Sequence, residues 1–117
     1  GKSLTIAITL EVPASTASDR PASQEVTAPR TFTVGKIVAF FPVGAEGTAS
    51  IFLALDGERI WPERLPGSDR LALDGITIPF DVKIPVKSGQ RIGLFGSNSD
   101  TSNPHTIRII LNEELVK

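Results

Sequence analysis

The stretch Ile76-Thr77-Ile78-Pro79-Phe80-Asp81-Val82-Lys83-Ile84-Pro85-Val86 decides the fold class, because its apolar residues occupy every second position. A period of two is typical of a β-strand that buries one face and exposes the other. Pro79 and Pro85 both occupy positions that alternate with the apolar ones. The N–H groups that proline lacks would therefore be missing on the same side of the strand. A strand tolerates this only where that side is unpaired, and the run therefore predicts a strand at the edge of a sheet.

Further strand signals follow along the whole chain. Residues 4–12 also alternate, whereas 36–43 and 51–55 are apolar on both faces, which indicates central strands or strands whose outer face meets a partner. Asp56-Gly57 is a strong signal for a type I′ hairpin turn. We predict an all-β fold, a two-sheet, jelly-roll-like β-sandwich of about eight short antiparallel strands. In chain order the candidates are 4–12, 32–34, 36–43, 51–55, 60–61, 76–86, 91–95 and 105–111.

The chain of 117 residues fits a single domain with three segments. Residues 1–12 are an N-terminal strand or arm, 13–29 a connection rich in Pro, Ser and Ala, and 30–117 the main body. Two interpretations of the connection stay open: a long surface loop that crosses between sheets, or a stiff tether that lets the first strand pair with a neighbouring subunit. We expect the prolines to keep the connection itself from forming a strand.

Composition excludes several kinds of chemistry. The chain has no Cys, no Met and one His, so a thiol nucleophile, a disulfide and a two-His metal site within one chain are excluded. The net charge of −1 offers no excess of basic residues for nucleic acid. No apolar run reaches about 18 residues, the length that a membrane-spanning helix needs. We therefore expect no enzyme, no cofactor, no metal, no nucleic-acid partner and no membrane partner.

The loop 97–105 is the most site-like stretch, because it gathers hydroxyls, amides, one carboxylate and the only His. A small polar ligand, a glycan or calcium is one interpretation, although a single carboxylate and the spacing do not match a calcium loop. The other is a turn whose side chains hydrogen-bond its own backbone, with the His packed inward and bonded to a carbonyl or to the Asp. The candidate ligand residues are Asn98, Asp100, Asn103 and His105.

The candidates for an interface are apolar residues of the N-terminal arm and large aromatic residues of the main body. Trp61 precedes the loop 62–67 and has three interpretations: it closes one end of the domain, it lies in a subunit interface, or it binds carbohydrate. Arg30 and Lys36 flank a strand and look like solvated charge. The interface candidates are Leu4, Ile6, Ile8 and Leu10 of the N-terminal strand, together with Phe40, Phe52 and Trp61.

Four short motifs within residues 32–111 resemble small all-β proteins encoded by prophages and viruses, often of thermophiles. The motifs are Val34-Gly35-Lys36-Ile37, then Phe41-Pro42 with Gly44, then Trp61-Pro62, and an Asn/Asp-rich turn from Asn98 that leads into His-Thr-Ile ending at Ile107. The resemblance implies a virion or other assembly component, such as a capsid decoration protein, without an enzymatic site. It also implies a location in a virion or an extracellular assembly.

Two functional classes follow from these observations. The first is a non-catalytic structural protein that self-associates through sheet edges and the N-terminal arm. Its partners would be copies of itself, as a homo-oligomer such as a trimer, or a major capsid or other structural protein. The second is a β-sandwich module that binds a glycan or a receptor.

Overall fold

The computed structural model describes residues 3–44, 47–62, 72 and 74–115, and its regular structure is entirely β. Within these residues there is no helix that could cross a membrane. The eight strands are β1 (Thr5–Val12), β2 (Ala22–Thr27), β3 (Phe32–Phe40), β4 (Ala49–Leu55), β5 (Glu58–Trp61), β6 (Thr77–Val86), β7 (Arg91–Asn98) and β8 (His105–Glu113).

The strands form two antiparallel four-stranded sheets, and the predicted β-sandwich is confirmed. The first sheet has the order β1-β8-β3-β6 and the second the order β2-β7-β4-β5. Only β4 and β5 are joined as a hairpin within one sheet, and every other connection leads to the opposite sheet. Such repeated crossing is the arrangement of a jelly roll rather than of an immunoglobulin-type sandwich.

The expected places of three strands in the sheets are confirmed. β6 lies at an edge, whereas β3 and β4 are central. The N–H of Phe41 donates to the carbonyl of Ile76 at 2.9 Å, so the backbone groups of Ile76 face β3. Because backbone groups alternate in direction along a strand, those of Pro79 face the open side, where no N–H is needed. The β4–β5 turn has positive φ at Asp56 (49°) and Gly57 (84°), as a type I′ turn requires.

The core fills the space between the sheets with branched aliphatic side chains, and two irregularities shape it. At Gly35 the register of β3 shifts against both neighbours, so the buried positions change parity. At Gly96 the sheets approach closely, since a Cβ there would lie 2.8 Å from Cγ2 of Val12. The largest fully buried side chains are Ile8, Val12, Val34, Ile37, Ile51, Leu53, Val86, Ile92, Leu94, Ile107, Ile109 and Leu111.

The expectation that the connection 13–29 contains no strand is wrong. Residues 13–21 cross from one sheet to the other, and β2 then pairs with β7 at an edge of the second sheet. Of the residues of β2, only Ala22 and Val26 near its two ends pack against the core, both half-buried, so the strand has no alternating apolar pattern of its own. The main chain of β7 supplies its hydrogen bonds, and these leave no trace in the sequence.

Candidate functional site

The last residue of β7, Asn98, holds one end of the sandwich together. Its side chain is 1% exposed, and its Nδ2 donates to the carbonyls of Asn103 at 2.9 Å and Val12 at 3.3 Å. Its Oδ1 accepts the N–H of Asp100 at 3.0 Å. One amide therefore ties the loop 99–104 to the end of β1.

Asp100 organises the remainder of this loop. Its Oδ1 accepts the N–H groups of Ser102 at 2.8 Å and Asn103 at 3.1 Å, and its Oδ2 lies 3.0 Å from Nε2 of the buried His105. These bonds, first that from Ser102 and then that from His105, lower the pKa of the Asp100 carboxyl.

The four candidate ligand residues of the sequence therefore lie together, but they bond one another and the loop backbone. Of the two partners expected for His105, a backbone carbonyl or Asp100, the structure shows Asp100. Among the described residues, no three His, Asp or Glu side chains converge as metal ligands would. The geometry of the loop is that of a self-bonded turn, in which the side chains of Asn98, Asp100 and His105 are already engaged.

A polar groove lies beside this turn and has a volume of about 440 Å³. The Oγ atoms of Ser50 and Ser97, on adjacent strands, are 2.8 Å apart, and the N–H of Ser15 donates to the carbonyl of Asp100 at 2.9 Å. Hydroxyl groups both donate and accept, so this lining suits a neutral polar molecule better than an ion. The described lining is Ser15, Thr16, Ala17, Ser18, Gly47, Thr48, Ser50, Ser97, Asn98, Ser99 and Thr101.

Sequence reasoning identified one wall of this groove and missed the others. Residues 15–18 come from the β1–β2 crossing and Thr48 precedes β4, so these segments meet only through the sandwich topology. The N–H of Asn98 donates to the carbonyl of Thr16 at 2.9 Å, which fixes the crossing against β7. The abundance of Ser and Thr in the crossing was the only available signal.

Two of the aromatic interface candidates lie on outward faces. Phe52 stacks on Phe95 with ring centroids 5.1 Å apart and the rings nearly parallel, and both are half-buried on the outer face of the second sheet. Phe40 lies on the outer face of the first sheet, where the guanidinium of Arg108 is 4.9 Å from its ring centroid.

Three other interface candidates are buried in the chain's own core. Trp61 is 6% exposed and packs edge-on against Phe80 at 5.2 Å, while residues 63–70 of its loop lie outside the described part of the chain. Ile8 and Leu10 are 1% and 5% exposed, because β1 pairs with β8 of the same chain. Burial of large apolar side chains is the largest favourable contribution to the free energy of folding, so such side chains are usually found in the core of their own chain.

Arg30 is not simply solvated, as its sequence position indicated, but belongs to a second polar cluster. Its guanidinium donates to both carboxylate oxygens of Glu113, at 2.8 and 2.7 Å, and the N–H of Leu4 donates to Oε1 at 2.9 Å. The bonds from Arg30, followed by that from Leu4, lower the pKa of Glu113 to about 2. This Arg30–Glu113 clamp joins the starts of β1 and β3 to the end of β8.

No protein-family model and no curated protein matches this sequence. Among solved structures, a chain of tomato aspermy virus has a TM-score of 0.47 at 17% identity, covering 97% of this chain and 79% of that one. A chain from the Gt strain of infectious bursal disease virus has a TM-score of 0.41 at 12% identity, covering 91% and 32%. An exo-β-1,3-galactanase from Phanerochaete chrysosporium has a TM-score of 0.39 at 10% identity, covering 95% and 29%.

Proposed function

We propose that this chain is a non-catalytic structural protein, a capsid decoration protein or other virion component that self-associates or binds a major capsid protein. The observation that carries the proposal is apolar surface on the outward faces of a sandwich whose described core lies between its two sheets. Outward apolar groups stabilise association because contact removes them from water.

The first sheet carries the more extended of these surfaces. Cross-strand pairing places Ala7 beside Ile110, Ile110 beside Val38, and Val38 beside Pro79, so one apolar row crosses all four strands. We call these four residues the outer apolar row. Ala7 and Pro79 are exposed, and the other two are half-buried. Phe40 lies on the same face, which extends the apolar surface beyond the row.

The second sheet carries the Phe52–Phe95 stack on its outer face. Aromatic side chains are enriched in the centres of protein interfaces, since they remove much apolar area from water with few rotatable bonds. The proposal of a virion location rests on the sequence resemblance given above, and it is compatible with a module that binds on both faces.

The test is the native mass of the full chain, measured by light scattering after size exclusion. We expect a mass well above that of one chain, and a lower mass for Val38→Thr/Ile110→Thr or for Phe52→Ser. Val43→Thr is the matched control, because Val43 is 88% exposed and lies outside both faces. A wild-type chain that stays monomeric at high concentration would overturn self-association.

A second candidate function, saccharide or receptor binding, is supported by the hydroxyl-lined groove. Neutral saccharides should then raise the melting temperature, because a ligand that binds only the folded chain stabilises it. Thr101→Val removes a hydroxyl from the groove and should reduce the shift, whereas Thr5→Val on β1 should not. No shift across a panel of neutral saccharides would count against this function.

A further inference from the structure

The four sheet edges differ in how well they are protected from pairing with another chain. β6 carries Pro79 and Pro85, and β5 has only four residues. β2 is six residues long and contains Glu25. β1 has eight residues, no proline and a single charge, at Glu11. Prolines, charges and short length are the usual protections of an edge. Since β1 and β2 carry one charge each and β1 is longer by two residues, β1 is the least protected of the four.

The hydrogen bonds at the start of β1 show which of its groups face the open side. The N–H of Glu113 donates to the carbonyl of Leu4 at 2.9 Å, so Leu4 faces β8. Alternate residues of an antiparallel strand face the same neighbour, and hence the even-numbered residues of β1 bond to β8. The N–H and C=O groups of Thr5, Ala7, Thr9 and Glu11 point away from β8, where the described residues place no further strand.

We infer that β1 pairs antiparallel with β1 of a second copy of this chain, about a twofold axis at Ile8. Thr5 then pairs with Glu11 of the second copy, and Ala7 with Thr9. The inference rests on the proposed self-association and adds to the outward faces a second contact, at the open edge of β1. Two identical edges that meet in this way give a closed dimer, in which two four-stranded sheets join into one.

The side chains fit this register on both faces of the sheet. On the outer face only small residues and Glu11 meet, and Glu11 faces Thr5, so no like charges are opposed. On the inner face Ile8 meets Ile8, Ile6 meets Leu10, and Leu4 meets Val12. Among these inner-face residues of β1, Leu4 and Ile6 are only half-buried, and pairing would cover them.

Alternative registers fit less well. A shift of one residue would direct the N–H groups that already bond to β8 toward the partner, and it would exchange the two faces. If one copy moved along the other by two residues, either Thr5 or Glu11 would have no partner within β1 of the second copy. Edge pairing also leaves β1 in its own sheet, so the buried Ile8 and Leu10 stay in the core.

The test compares proline on two edges by light scattering of the full chain. Ala7→Pro removes an N–H from the open side of β1 and leaves the bonds to β8 in place, so we expect the native mass to fall twofold. Thr77→Pro is the matched control: it removes an outward N–H at the start of β6, beside the existing Pro79, and should leave the mass unchanged. Circular dichroism checks that both variants are folded.

A charge exchange tests the register without proline. Ala7→Lys/Thr9→Lys places like charges opposite each other in the dimer and should dissociate it, whereas Ala7→Lys/Thr9→Glu places opposite charges there and should keep it. An oligomer that survives both Ala7→Pro and the double-lysine variant overturns the β1 contact but leaves the proposed function standing. A wild-type chain that is monomeric overturns both the β1 contact and the proposed self-association.

Discussion

Replacing Asn98 with Ala should strongly destabilise this protein, although Asn98 belongs to no catalytic set. The side chain is almost fully buried and makes three hydrogen bonds to backbone groups of Val12, Asp100 and Asn103. Alanine keeps the strand but leaves these groups without their partner. The loop 99–104 then loses its connection to the end of β1.

The expected size follows from the number of bonds lost. A hydrogen bond in a folded protein contributes about 0.5–1.5 kcal/mol net, and more when its loss leaves a buried group unpaired. Three bonds give a loss of about 2–4 kcal/mol in the free energy of unfolding. In a domain of this size that corresponds to a melting temperature lower by roughly 8–16 °C.

Urea unfolding followed by circular dichroism measures the change in free energy, and a thermal scan measures the change in melting temperature. Ser102→Ala is the matched control, because Ser102 is exposed and the loop bonds described above use only its backbone N–H. A loss for Asn98→Ala below about 0.5 kcal/mol, the usual range of surface substitutions, would refute the assignment of Asn98 as the link between loop and core.

Two further predictions concern acid stability and the close approach of the sheets. The pKa of Glu113 is lowered from 4.5 to about 2, so its clamp with Arg30 stabilises the fold above about pH 4.5, and this contribution is lost as the pH falls toward 2. Urea midpoints between pH 2 and 6 should fall more steeply with acidification for wild type than for Glu113→Gln, and parallel curves would contradict this. Gly96→Ala should destabilise by about 1–3 kcal/mol through overpacking, because the new Cβ would lie 2.8 Å from Val12 and 3.0 Å from Leu10. An unchanged urea midpoint would show that β1 can move aside.

The strands that sequence predicted best were those whose own side chains carry the signal. Two prolines on the same side of β6 predicted that it lies at an edge, and Asp56-Gly57 predicted the β4–β5 turn. β2 was missed because an edge strand held by the main chain of β7 needs few apolar side chains, here only Ala22 and Val26. A local pattern reports burial and turn geometry, but not the identity of the neighbouring strand.

In the candidate site, too, the sequence predicted the local contacts but not those between distant segments. Asp100 and His105 are five residues apart in one turn, so their contact could be expected from the sequence alone. The opposite wall of the groove, at Ser15 and Thr16, comes from a crossing more than eighty residues earlier, and only the sheet order brings it near. For Trp61 the sequence left three interpretations open, and the structure places it in the core, packed against Phe80.

By itself the sequence determined that the protein is an all-β sandwich with an edge strand at β6, and it offered a self-bonded turn as one of two interpretations of the polar loop after β7. Those features depend on the parity of side chains and on the backbone preferences of a few residues, which act over short distances along the chain. Only the tertiary structure decided that Ile8, Leu10 and Trp61 belong to the core, that Arg30 binds Glu113, and which N–H groups of β1 remain open. These depend on contacts between residues far apart in sequence, which the order and register of the strands establish.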